Sequence, residues 1–174
     1  MCAQQLFTAL LSSVSQDQLA DFTCGDESWA EELNDFLKND AYQDHEQSLN
    51  RTHLFFTEDR VCIGFVTLLA SQVRREEGGF LLKGDTSYPA IPAVLIGRFA
   101  VDESFQGSGY GEEIMAWTRN LARELPIGCR FLAVDVDKEN EGAIRFYKRE
   151  GFELVPVKRK LRFLLYDLVA SVNG

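Results

Sequence analysis

The stretch that most constrains this chain runs from Ala93 to Leu125, where an apolar, strand-like run (AVLIGRFAV) passes through Gln106-Gly107-Ser108-Gly109-Tyr110-Gly111 into a helix-like run. A helix start carries four N–H groups with no partner inside the helix, together with the positive end of the helix dipole, and so forms an anion site. Gly107, Gly109 and Gly111 remove side chains that would hold a phosphate away from those amides. The segment therefore reads as a phosphate-binding turn between a strand, 93–101, and a helix, 109–125. A purely structural glycine turn is the plain alternative. A dinucleotide-binding fold is the other, since a strand, glycines, a helix and a second strand bearing Asp135 follow in the order it requires. Against it, GSGYG is G-x-G-x-G rather than G-x-G-x-x-G, and Asp102–Gln106 separate the strand from the first glycine. A P-loop is excluded because no Gly-Lys-Ser/Thr follows.

The surrounding chain supplies alternating strands and helices. Downstream, RFLAVDV (130–136) is apolar on both alternating sets except at Asp135, the pattern of a central strand covered on both faces. Strand, helix and strand in that order make a βαβ unit with a parallel pair. In the helix, Tyr110, Ile114, Trp117, Leu121 and Leu125 step by three or four and mark one apolar face. A second helix is expected over 140–150, with strands at 152–156 and 161–168. Upstream, a first strand is expected over 5–11, a brief helical turn capped by Ser15 or Asp17, and a turn at Phe22–Asp26. Asp26 is then expected to cap a helix reaching Asn39. THLFFT and VCIGFVTLLA around Glu58-Asp59 read as a hairpin. Residues 71–91 read as a connection, closed by Pro89 and Pro92, with a short strand at Phe80–Leu82.

At 174 residues the chain suits one domain, 1–174, with a sizeable core. No basic-then-apolar opening resembles a signal peptide, and no apolar run approaches the roughly 18 residues of a membrane span, so a cytoplasmic protein with no membrane partner is expected. Cys2, Cys24, Cys62 and Cys129 form no C-x-x-C pair and stand near neither His45 nor His53, so no metal site is expected. Cys62 and Cys129 read as small buried hydrophobes.

Two segments carry a family resemblance. V-D-E-S-F-Q-G-S-G-Y-G resembles the Q/R-x-x-G-x-G/A signature of the GNAT superfamily of N-acetyltransferases, with Val101, Gln106, Gly109 and Gly111 in the matching places. N-E-G-A-I-R-F-Y-K-R-E-G-F, from Asn140 to Phe152, is similar to the same superfamily's N-x-x-A-x-x-F-Y-x-x-x-G-F. The resemblance implies an α/β (α+β) fold with a mixed central sheet of about six to seven strands. It further implies helices on both faces and a V-shaped splay between two parallel strands. Strand 93–101 should then carry a bulge, which Gly97 inside an apolar run independently suggests. The implied co-substrate is acetyl-CoA, with no metal. Backbone groups of Phe99 and Val101 would pair with the amide-rich pantetheine arm like an added strand. The amides of Gln106, Gly107, Ser108, Gly109, Tyr110 and Gly111 would hold the pyrophosphate. Asn140 would cap its helix and could also touch the cofactor.

The chemistry so implied is direct attack of a primary amine on the thioester, which needs a neutral amine, an oxyanion donor and an acid near the departing sulfur. Tyr147 occupies the position of the general acid and shares a helix face with Ala143 and Ile144; a core tyrosine is the alternative. Phe146 reads as core. Asp102, Glu103 and Asp135 lie near the expected cleft, but each has an ordinary use as a cap or strand-end charge, and a water relay could replace a base.

The acceptor is less constrained. Residues 1–50 hold ten acids against Lys38 alone, while the rest is neutral, within a net charge of −9. That imbalance points to a small or peptide amine acceptor, cationic and of the polyamine kind, or else only to a solvated helix face. A narrower resemblance points elsewhere. Phe22-Thr23-Cys24-Gly25, the helix ending Phe36-Leu37-Lys38 and I-G-R-F-A-V-D are similar to the GNAT branch of toxins that acetylate aminoacyl-tRNA and pair with a ribbon-helix-helix antitoxin. Under that resemblance Arg98 and the cluster Arg145, Lys148, Arg149, Lys158, Arg159, Lys160 and Arg162 would meet tRNA phosphates. The sequence pI of about 4.7 and the uncharged Ser108 run against it. A domain that binds acyl-CoA as a sensor without turnover is the third reading. A monomer or homodimer is compatible with all three.

Overall fold

The structure, a computed structural model, describes residues 6–82, 86–157 and 160–170. Seven strands form one mixed sheet in the order β1-β2-β3-β4-β5-β7-β6. They are β1 (Phe7–Leu10), β2 (Arg51–Phe56), β3 (Cys62–Arg74), β4 (Ala90–Val101), β5 (Phe131–Val136), β6 (Glu153–Leu154) and β7 (Arg162–Asp167). The helices are α1 (Ser28–Asp35), α2 (Ala41–Glu46), a single turn α3 (Arg75–Gly78), α4 (Tyr110–Glu124) and α5 (Glu141–Arg149). No helix among the described residues is long and apolar enough to cross a membrane. The chain divides into two compact units, Met1–Leu69 with Gly97–Ala116, and Ala70–Ile96 with Trp117–Gly174.

In the first unit β1, β2 and the start of β3 pair antiparallel, Phe7 opposite Phe56 and Arg51 opposite Leu68. Their core gathers Leu11, Leu19, Phe22, Leu37, Leu54, Phe65 and Ala100. The helix expected to end at Asn39 instead continues: α1 passes through a π-helical stretch, Phe36–Asp40, into α2. Asn39, a poor helix former, marks the π distortion rather than the end, because Phe36, Leu37 and Ala41 are all buried and hold both sides of it. Glu27, not Asp26, occupies the cap position, without a side-chain bond. Ser15 does open a 3₁₀ turn, Gln16–Leu19, its N–H donating to Gln18 Oε1 at 3.2 Å. At the first strand's expected start, Gln5 lies outside the described residues. Its expected end, Leu11, belongs to a 3₁₀ turn that buries it completely.

In the second unit the parallel pair is β4 with β5, Ala93 to Ile96 opposite Phe131 to Val134, and β7 lies antiparallel to both β5 and β6. Phe131, Ala133, Phe163, Leu165 and Val155 form its core with Ile91 and Val73. Every residue of β5 except Asp135 is buried, as its two-sided apolar pattern requires. The expected strand at Phe80–Leu82 is instead a 3₁₀ turn, Gly79–Leu81, following α3, and β3 itself runs on to Arg74. A Cβ at Gly78 would lie 2.9 Å from Val73 Cγ1 and 3.1 Å from Phe131 Cε2, so this close-packed glycine fixes a helical turn where composition suggested extended chain. Lys83, Gly84 and Asp85 of that connection lie outside the described residues.

Along α4 the buried residues are Ile114, Met115, Thr118 and Ala122, while Tyr110, Trp117, Leu121 and Leu125 of the expected stripe are half-buried. The stripe is thus rotated by about one residue from the expected one, because Met115 and Ala122 also pack inward. Cys62 is buried in β3, and burial pushes its thiol up to about 12. Cys129 is half-buried and precedes β5.

Candidate active site

The first unit carries the strand end and the glycine turn. Gly64 in β3 is what lets the end of β4 approach: a Cβ there would meet the Ala100 carbonyl oxygen at 2.6 Å. Asp102, buried, follows β4, and its N–H donates to the Ile63 carbonyl at 2.8 Å. Its two carboxylate oxygens accept from the N–H groups of Thr23, 3.1 Å, and Ser104, 3.0 Å. Glu103 N–H donates to the Thr23 carbonyl at 2.8 Å. The Phe22–Gly25 turn is gripped from its other side by Asn34 of α1, whose Oδ1 accepts from Cys24 N–H at 2.9 Å. Its Nδ2 donates to the Gly25 carbonyl at 3.1 Å. Asp102 is therefore a cap and a brace, the ordinary use of a carboxylate at a strand end, rather than a base.

Gln106 completes this brace. Its Nε2 donates to the carbonyls of Cys24 and Val101, each at 3.0 Å, and its own N–H closes a 3₁₀ turn on Glu103 at 3.4 Å. One lone pair of the Val101 carbonyl is thus in use. Phe99 and Val101 are half-buried. After Gln106 the backbone turns through Gly107 (φ +74°) and Gly109 (φ +90°), values that side-chain-bearing residues rarely adopt. Nothing lies within 4 Å of where a Cβ would stand at either. Ser108 between them is exposed, and Tyr110 and Gly111 form the first residues of α4. The rings of Phe105 and Tyr110 meet edge to face, centroids 5.7 Å apart, closing the base of the turn. An exposed helix start, open space and two positive-φ glycines together accommodate a bulky anion such as a pyrophosphate. Gly97 has no positive φ, and among the described pairings the register shift falls at Phe55/Phe56. What Gly97 does avoid is Leu69, whose Cδ2 would lie 2.9 Å from a Cβ.

The second unit carries α5. Asn140 caps it, Oδ1 accepting from Ala143 N–H at 3.0 Å. Tyr147 is 5% exposed, its ring edge-to-face with Phe146 and Phe152 at 5.4 and 5.2 Å. Burial pushes the phenol above its ordinary range, so it stays protonated at any physiological pH. Phe146, expected in the core, is half-buried, and Tyr147 takes the core position instead. The helix ends at Gly151 (φ +87°), where Phe152 N–H reaches back to the Tyr147 carbonyl at 2.9 Å. Among the described residues no group of three His, Cys, Asp or Glu side chains could hold a metal ion.

A family model described as the acetyltransferase (GNAT) family matches residues 11–152, most of the chain. The chain belongs to that family. It is an acetyltransferase, and acetyl-CoA is the acetyl donor of its family. A tRNA-acetylating toxin of Mycobacterium tuberculosis is 29% identical over 160 residues, covering 90% of this chain and 92% of that protein. Among solved structures, AtaT complexed with acetyl-methionyl-tRNAfMet is 28% identical, with a TM-score of 0.79 over 97% of this chain and 98% of that one. A tyrosine-to-phenylalanine mutant of the AtaT toxin, bound to the C-terminus of the antitoxin AtaR and acetyl-CoA, is 26% identical, with a TM-score of 0.72 over 95% of this chain and 94% of that one.

The Asp102–Gln106 brace escaped the sequence reading. Its partners at Thr23 and Cys24 lie about 80 residues away and leave no periodic trace. The only available signal was an Asp directly after an apolar strand, which fits many roles.

Proposed function

We propose that this protein is a single-domain enzyme that transfers the acetyl group of acetyl-CoA to the α-amine of an aminoacyl-tRNA, as the toxin of a toxin–antitoxin pair. The observation that carries the proposal is similarity along nearly the whole chain, N-terminal half included, to proteins named as tRNA-acetylating. A shared glycine turn alone would support only acyl-CoA binding. The Phe22–Gly25 turn, where the narrower resemblance lies, is bonded directly to the residues that lead into the glycine turn. A ribbon-helix-helix antitoxin is the partner this reading implies.

In this reading the amides of Gly107 to Gly111 hold the pyrophosphate, with Gln106 serving as a side-chain brace more than as an amide donor. Backbone groups of Phe99 and Val101 pair with the pantetheine arm. The neutral amine attacks the thioester carbonyl, a C–N bond forms and the C–S bond breaks. Tyr147 donates its phenolic proton to the departing sulfur and recovers one from the amine through water. A phenol carries its proton at neutral pH with or without burial, and burial makes it a weaker acid, so the role rests on the place of Tyr147 in the second signature. Asn140 positions α5 and so the tyrosine.

Net charge no longer argues against RNA once it is assigned by unit. The first unit holds sixteen acids and four bases, net −12, and the second eleven acids and fourteen bases, net +3. Arg145, Lys148, Arg149, Lys160 and Arg162 are exposed in the second, while Lys158 and Arg159 lie outside the described residues. Arg98, in the first, stacks its guanidinium over Phe36 at 5.1 Å. The −12 of the first unit does favour a second reading, a polyamine acceptor. Labelled acetyl-CoA offered methionyl-tRNA and spermidine in competition separates them. Label on the tRNA at a rate that falls steeply with salt is expected; label on spermidine alone would overturn the proposal.

A further inference from the structure

The end of α5, one turn beyond Tyr147, is held by a side chain from α4. Arg119 donates from one terminal nitrogen to both the carbonyl of Glu150, at 3.2 Å, and its carboxylate, at 2.8 Å. Both side chains are mostly buried, 17% and 12% exposed, so this ion pair is little screened. Glu150 is the C-cap that directly follows the helix, and its own N–H bonds back to the Phe146 carbonyl at 3.0 Å. Arg119 thus grips the helix terminus through backbone and side chain together.

The same guanidinium lies 5.3 Å above the Tyr166 ring of β7. Arg123, one helical turn on, donates to the Tyr166 hydroxyl at 3.3 Å and so fixes that ring from its edge. Tyr166 packs on Phe152 at 5.4 Å, and Phe152 on Tyr147 at 5.2 Å. Gly151 makes this contact possible, since a Cβ there would already stand 3.2 Å from Tyr166 Cε2. Two routes therefore run from Arg119 to Tyr147. One passes through the helix end, and the other through three rings in contact, tilted and edge to face.

We propose that Arg119 is a positioning residue for Tyr147, setting the ring's place through Glu150 and Tyr166 without touching substrate. The inference rests on the assignment of Tyr147 as the acid. A misplacement of about 1 Å at a reacting group can cost on the order of a hundredfold. Arg119→Ala is therefore expected to lower kcat by about tenfold or more while KM for acetyl-CoA stays within about twofold, and Arg119→Lys, which keeps the charge and a donor nitrogen but not the planar group over Tyr166, to recover part of the loss.

The decisive experiment is a double-mutant cycle with Tyr147→Phe, using methionyl-tRNA as acceptor below the melting temperature of each variant. If Arg119 acts through Tyr147, Arg119→Ala adds less than about twofold once the phenol is gone. An equal tenfold loss in both backgrounds, or a loss in KM alone, overturns the inference and makes Arg119 merely structural. Should Arg119→Ala fold poorly, Glu150→Gln takes its place in the cycle, since it keeps the carbonyl contact and removes only the charge. A Tyr147→Phe single variant with full turnover defeats the assignment of the acid instead, a different result from failure of the cycle.

Discussion

The glycine turn and the α5 helix are both short segments carried by sequence signatures, yet they are built in opposite ways. At the turn, residues 106–109 are exposed, two of them hold positive φ, and the space beside the glycines is open. Its order comes from hydrogen bonds behind it, where Asp102 and Gln106 fasten it to the Phe22–Gly25 turn. On α5 the key residue is buried, and its order comes from aromatic packing on Phe146 and Phe152. Binding an anion requires exposed, unsatisfied N–H groups, whereas a proton donor must be held in a fixed place. Under the proposed assignment, the contrast teaches that a binding turn tolerates exposure if it is braced from behind, while a donor side chain is placed by what surrounds it.

The largest break in this contrast would come from Gly109. A β-branched side chain at φ +90° is strained and would intrude into the open space. Gly109→Val is expected to weaken acetyl-CoA binding by about tenfold or more in calorimetry, and to lower the melting temperature by the several degrees that about 1–3 kcal/mol of backbone strain implies. Unchanged affinity would detach the turn from the pyrophosphate.

A smaller effect sharpens the comparison from the stability side. In the first unit His45 is buried, and its Nδ1 accepts the Thr52 N–H at 3.3 Å, a bond that the doubly protonated ring cannot accept. Burial, then Arg51, lowers its pKa; burial, then His45 and Arg51, brings His53 down to about 4. Both groups are depressed from the ordinary 6.5, so their contribution to stability is full above that value and is lost as pH falls from about 6.5 towards 4. Melting followed by Trp29 fluorescence in a Trp117→Phe background should show the first unit weakening over that window, and His53→Gln should flatten the slope. A melting temperature independent of pH between 6.5 and 5 would contradict this.

Much of this was legible in the sequence, and the remainder was not for physical reasons. The central strand β5 is apolar on both faces and could be little else, and the two signatures fall at the ends of β4 and the length of α5. Gly107 and Gly109 were legible as a turn free of side chains, and the structure adds their positive φ, which glycine adopts cheaply. What sequence could not carry was long-range: the Thr23–Asp102 bond, the tight approach at Gly64, and the Arg119–Glu150 grip join residues that no local pattern relates. The helix running through Asn39 was misread for the same reason, since the packing of Phe36 and Leu37 overrides a weak local propensity. The acidic pI is a poor guide to partners, because a single number averages a unit of −12 with one of +3.

The central claim, that the exposed turn binds the donor while the buried tyrosine does the chemistry, is tested most directly by Tyr147→Phe. The measurement pairs the rate of acetyl transfer to methionyl-tRNA with the dissociation constant for acetyl-CoA on the same sample. The account predicts a fall in kcat of about a hundredfold, the scale of a lost general acid, with acetyl-CoA affinity within about twofold of the wild type. Wild-type turnover in the variant, or loss of acetyl-CoA binding in step with turnover, would contradict it.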